Sequence, residues 1–307
     1  MSLARKTKTA LDESRTLMLG AEILLGFQMQ APFQNAFEAL SGPEKMIEIV
    51  VLCIMVVVIG LLILPSARHR IYEEGEASVA INRFITLVSG VTLLPFALAL
   101  ALDLALVGTQ LAGPWGGILS GAAGGCAAIV FWYGGLLVKR KEQRTPMREL
   151  NEKTSTADKI DYVLTEARVV LPGAQALLGF QFVIILTSAF ASLPASVKAL
   201  HGLSLGLIAL ATILLITPAA CHRLVYGGEE VAEFHRIASR LVLSATVFLA
   251  LGLSADIHVV TYKITESHAL AAALAFASAA VLIGFWHVWP WWLYARKRMG
   301  LSEERSN

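Results

Sequence analysis

Apolar residues in this chain do not alternate with polar ones; they run. Eight long apolar stretches cover roughly residues 16–37, 46–64, 81–107, 115–138, 169–191, 197–217, 237–260 and 268–293. Each has about the 20 residues that a helix needs to cross the hydrocarbon layer of a bilayer. The pattern therefore predicts eight membrane-spanning helices joined by short polar turns. Pro65 and Pro218 follow the second and sixth stretches and are expected to end those helices. Pro32 sits near the outer end of the first, where a proline costs least backbone bonding. Leu11, Ser14, Arg15 and Met18 suggest a short interfacial helix leading into the first span. A similar lead precedes the fifth, with Ile160, Val163, Leu164 and Ala167 on one face and Ser155 or Thr156 as its cap.

The chain is also written twice. Gly20-Ala21-Glu22-Ile23-Leu24-Leu25-Gly26-Phe27-Gln28 recurs as Gly173-Ala174-Gln175-Ala176-Leu177-Leu178-Gly179-Phe180-Gln181. The same offset relates Pro65-Ser-Ala-Arg-His69-Arg70 to Pro218-Ala-Ala-Cys-His222-Arg223, and Glu13-Ser-Arg15 to Glu166-Ala-Arg168. This divides the chain into a four-helix unit at 1–138, a connector at 139–155, a second four-helix unit at 156–298 and a tail at 299–307. Four spans per unit give both units one orientation, so they are expected to be parallel repeats about an axis along the membrane normal. The fold class is thus all-α, integral to the membrane, in two parallel four-helix repeats.

Charge sets the orientation. Of 25 Lys and Arg residues, the loops expected on the outer side hold only Lys45, Lys198 and Lys263. The positive-inside rule then makes both termini and the connector cytoplasmic. Trp286, Trp289, Trp291, Trp292 and Tyr294 form an interfacial belt at the inner end of the last span. Since topology accounts for the basic residues, nothing supports nucleic-acid binding. Cys53, Cys126 and Cys221 form no C-x-x-C pair and read as packing thiols. The histidines are too scattered for a metal site. No phosphate-binding glycine loop, dinucleotide fingerprint or hydrolase motif is present, so no cofactor or enzyme class is indicated.

Ionisable residues inside spans mark the candidate sites. Glu22 lies about two turns into the first span, between Gly20 and Gly26. Either it exchanges protons, or it makes a hydrogen bond or ion pair between helices. Its repeat partner Gln175 keeps the shape and loses the charge, which favours the second reading. Gln28 and Gln181 extend this polarity, as a wet path or as interhelical bonding. Asp103 and Asp256 lie late in spans three and seven, as an outer mouth for cations or as interfacial residues. At the inner surface, Arg15, His69, Arg70, Arg168, His222 and Arg223 have Glu73, Glu74, Glu76, Glu229, Glu230 and Glu233 nearby. They read as a pH-sensing gate, as contacts to anionic lipid, or as topology anchors. Gly113, Gly117, Gly121 and Gly125 form a small-residue stripe suited to close helix packing, a place for the two units to meet.

The G-A-[EQ]-x-L-L-G-F-Q opening, the P-x-x-x-H-R turn and the four-span length resemble a family of uncharacterised bacterial inner-membrane proteins. Its members are usually one such unit, and some carry a loose sodium/proton antiporter label. The resemblance covers nearly the whole chain twice, more regularly at Pro218–Arg240 than between His69 and Arg83. It implies a bacterial inner-membrane location and little mechanism. An antiporter site usually needs paired buried carboxylates on broken helices, and the second copy lacks the carboxylate. Two functions follow as expectations: a proton or small-cation pathway along spans one and five, or a non-transporting scaffold or stress-response protein that contacts lipid, a protein partner or a second copy of itself.

Overall fold

The computed structural model describes residues 3–139 and 154–304, and the charged connector between them lies outside the described residues. The described part is helical, with no strand. It contains six helices long and apolar enough to cross a membrane, and the chain is a multi-pass membrane protein.

In order, α1 is Leu3–Gln30, followed by two 3-10 turns at Ala31–Phe33 and Asn35–Ala39; α2 is Gly42–Ile71. The helical segment Val79–Lys139 is broken by non-helical backbone at Ala112 and Gly113. The break divides it into α3 (79–111) and α4 (114–139). Gly113, at φ 73° and ψ −171°, occupies a region open essentially to glycine alone. Then come α5, Thr156–Ile185; α6, Ala195–Leu224; α7, Ala232–Thr265; and α8, His268–Ile283. A π-helical turn, Gly284–Val288, joins α8 to α9, Trp289–Glu304.

Helix starts follow local chemistry. Ser41 and Glu44 form a capping box, the Ser41 amide and hydroxyl both 2.7 Å from the Glu44 carboxylate. Ser155 accepts from the Asp158 amide. The expected interfacial leads are not separate helices: α1 and α5 run unbroken through them. Nor do Pro65 and Pro218 end their helices; α2 continues to Ile71 and α6 to Leu224. A proline removes its own N–H and crowds the preceding turn, but the residues after it can still bond to one another. The true stops are left-handed turns. Gly75 donates to the His69 carbonyl at 3.1 Å and Gly228 to the His222 carbonyl at 2.8 Å, closing both helices alike.

Buried side chains of α1, α2, α5, α6, α7 and α8 form one core, including Leu25, Met55, Ile59, Leu177, Ile208 and Leu249. Trp286 is fully buried, and its indole donates to the Gly60 carbonyl at 3.0 Å, tying the last helices of the chain to α2. The two halves meet along α1 and α5, where the Lys8 ammonium reaches Asp161 at 2.5 Å and Phe27 meets Phe180 edge-on at 4.8 Å. The small-residue stripe of α4 lies elsewhere. Gly117 and Gly121 press on Ala101, Ala105 and Thr109 of α3 in the same half, and Phe96 stacks on Trp132 at 5.7 Å. The glycines shape a hairpin within one half, because a tight reversal at Gly113 leaves α4 beside α3. The other face of α4 is open, with Phe131 85% exposed.

Candidate functional site

Buried polar groups occur at three levels along the bundle. The end that carries α1's first residues and the last turns of α2 and α6 is called the basic end here, and the opposite end the far end.

Toward the far end, each half holds an amide bonded to a carboxylate. Gln28 on α1 donates to Asp103 on α3 at 2.9 Å. Gln181 on α5 donates to Asp256 on α7 at 2.5 Å. The third member differs. In the second half His201 of α6 is buried, with Nδ1 3.5 Å from Asp256 Oδ1 and Nε2 3.2 Å from the Gln181 carbonyl. Ser204, one turn on, lies 2.7 Å from the Gln181 amide and donates to the Gly252 carbonyl at 2.8 Å. In the first half the position matching His201 is Glu48 of α2, also buried and near enough to Asp103 for the two carboxylates to repel. Gln28 Oε1 is buried with no hydrogen-bond partner. One cluster thus sets an imidazole against its carboxylate, and the other sets two acids near each other. Neither Asp103 nor Asp256 stands alone at a mouth.

Glu22 lies two turns toward the basic end, about 9 Å along α1 from Gln28. It is 1% exposed, and neither carboxylate oxygen has a hydrogen-bond partner. The carboxylate rests against Gly173 of α5, where any Cβ would collide with it. Gly173 is therefore what admits Glu22 to the boundary between the halves. Its counterpart Gln175 is exposed. A carboxylate in this setting is stable when it carries a proton or gains a cation, since an unpaired buried charge is costly.

At the basic end Glu166 of α5 lies between two residues of α2. It pairs with the Arg70 guanidinium and lies 3.6 Å from His69 Nδ1. All three are buried, and the pair joins the two halves. The His69 ring packs edge-on against Tyr162 at 5.2 Å. The nearby acids are arranged differently from the sequence expectation: Arg68 is 3.8 Å from Glu73, and Glu76 meets Lys159 at 2.6 Å and accepts from the Thr154 amide at 2.9 Å. Burial pushes the Glu76 carboxyl up, but hydrogen bonds from Lys159 and Thr154 outweigh it and hold the group below its ordinary value. In the other half His222 packs on Phe234 at 4.7 Å and Arg223 is exposed. Arg168 is exposed, and the Arg15 side chain lies outside the described residues.

Glu48, His201, Ser204 and Tyr162 were not singled out from the sequence, and Glu166 was noted only as part of a repeat. Glu48 and His201 carried a usable signal: both are ionisable, both enter apolar runs, and they share one repeat position.

Two segments, residues 2–135 and 151–290, each match one family, described only as a family of unknown function (DUF6328). The chain belongs to this family. The double match is consistent with a tandem duplication of a DUF6328 unit, and the description carries no antiporter name. No curated protein matches, and no solved structure does.

Proposed function

We propose that this DUF6328 protein is a non-enzymatic protein of the bacterial inner membrane that provides a pathway for protons or small cations. In this reading α1 also spans the bilayer and α3 and α4 span it separately, which makes eight crossings in two parallel four-helix units with both ends cytoplasmic. The observation that carries the proposal is Glu22: a carboxylate buried at the boundary between the halves, both oxygens without a partner. The far-end clusters and the His69–Arg70–Glu166 group lie above and below it. The path is not a continuous chain of side chains, since Glu22 is separated from the Glu166 level by about nine residues of helix, or about 13 Å. Water or a rearrangement has to complete it.

A second reading is favoured by the Arg70–Glu166 pair. An ion pair buried across two halves suits a rigid scaffold that holds lipid or a protein partner. Proton and sodium flux into proteoliposomes separates the two, with wild type beside Glu22→Gln. The pathway reading expects flux above empty vesicles and its loss in the variant. Flux that survives the substitution removes Glu22 from the path. No flux under a pH or a sodium gradient leaves the scaffold.

A further inference from the structure

A cavity of about 250 Å³ opens at the basic end between α2, α5, α7 and α9. Its cations are Arg70, Lys159, Arg236 and Arg240, and its acids are Glu74 and Glu166. Two of the cations are already engaged, Arg70 by Glu166 and Lys159 by Glu76. Glu74 faces Tyr294. Arg236 and Arg240 remain, one helical turn apart on α7, exposed and with no ion pair among the described residues. Beside them the buried Ser239 hydroxyl and the Nε2 of His69, itself 1% exposed, have no hydrogen-bond partner. The lining also has an apolar part, formed by Val163, Trp291 and Leu243, the last one turn beyond Arg240 on α7.

We propose that this cavity binds a phosphate-bearing anion, and that its natural source is the headgroup of an anionic phospholipid. Two guanidiniums one turn apart suit the oxygens of a phosphate, and basic pockets between helices at a membrane surface hold anionic headgroups. The apolar part selects the lipid over free phosphate, because a lipid brings a glycerol backbone and chain to lie on Leu243 and Trp291, whereas a free ion needs polar partners all round. The pocket is built once. At the matching positions of the first half Arg236 has the counterpart Arg83, but Arg240 has Leu87, which is 62% exposed. The site does not depend on whether ions cross the protein.

The test uses the full-length protein in neutral detergent, titrated with short-chain phosphatidylglycerol, phosphatidylcholine or inorganic phosphate and read by native mass spectrometry. Phosphatidylglycerol should bind saturably and more tightly than phosphatidylcholine. Arg236→Gln with Arg240→Gln should weaken it about 30-fold, from a contribution of about five- to sixfold per arginine at a membrane surface. Both side chains are exposed, so the fold should tolerate the change. Arg83→Gln with Arg296→Gln removes the same charge from exposed positions outside the cavity and should leave binding within about twofold. If inorganic phosphate binds in an Arg236- and Arg240-dependent way and phosphatidylglycerol does not, the anion site stands and its source is soluble. Equal losses in the two double variants, or no loss in the first, would overturn the proposal.

Discussion

The two halves of this protein keep the same bond and spend it differently. Gln28–Asp103 and Gln181–Asp256 join equivalent helices at the same separation in sequence. Around that shared bond the charge has diverged. The second half sets the His201 imidazole against Asp256, whereas the first sets a second carboxylate, Glu48, near Asp103. Glu22 stands in the first half where the second half has exposed Gln175. At the basic end the asymmetry repeats: Glu166 buries His69 and Arg70, while its counterpart Glu13 is exposed. One half thus carries the unbalanced acids, and the other supplies the carboxylate that ties the halves together. That division of labour is what a pathway reading needs, and it can be broken experimentally.

The largest effect is expected at Glu166. Glu166→Ala leaves the Arg70 guanidinium buried without its partner, which should cost about 3–5 kcal/mol. Thermal unfolding in detergent should register this as a large drop in midpoint. Glu13→Ala, at the exposed repeat position, should stay within about 0.5 kcal/mol. Similar losses at both positions would mean that the halves are more alike than their burial implies.

His201→Glu converts the second far-end cluster into a copy of the first. Two carboxylates would then face each other where an imidazole faced one, at a cost of about 3 kcal/mol near neutral pH. Asp256→Asn in that background should recover part of the loss, because it removes one of the two acids. No recovery would show that His201 contributes shape rather than charge.

Gly173→Ala tests the boundary itself. The added methyl collides with the Glu22 carboxylate, so Glu22 has to move while its chemistry is unchanged. The cost of such crowding is about 1–3 kcal/mol. Gly20→Ala, the same change at the matching position, meets nothing within 4 Å. It should stabilise α1 by about 0.5–1 kcal/mol, since alanine gives up less backbone entropy than glycine in a helix. Opposite signs at the two glycines would confirm that the pair packs asymmetrically.

Much of this architecture was legible in the chain. Hydropathy marked the apolar helices, and the recurrence of Gly20–Gln28 at Gly173–Gln181 marked the internal repeat. Sequence spacing misread the prolines, because a proline removes only its own N–H, and both helices run on until the turns at Gly75 and Gly228 close them. It misread the glycine stripe of α4 because the spacing declares a close contact but not with which helix. Asp103 and Asp256 stood out as acids in apolar runs, yet the residues that give them opposite settings, Glu48 and His201, come from a different helix in each half. Only three-dimensional packing brings those together.

The smallest expected effect lies outside the spans, at Glu76. Its counterpart Glu229 is exposed and has no ion pair among the described residues, whereas Glu76 meets Lys159 at 2.6 Å. The folded protein holds Glu76 below its ordinary value of 4.5, so the unfolded chain binds a proton there more readily. The resulting stability is fully present above about pH 4.5 and is lost as the pH falls through the lower, folded value. The pair is partly open to solvent, with side-chain exposures of 21% and 35%, so screening keeps its worth below about 1 kcal/mol. Glu76→Gln should therefore lower the melting midpoint slightly at pH 7, less in high salt, and hardly at all near pH 3. Glu229→Gln should change nothing across that range. A Glu76 effect that persisted at pH 3 would show that the contact does not act through charge, since glutamine retains an acceptor for the Thr154 amide and loses only the counter-charge to Lys159.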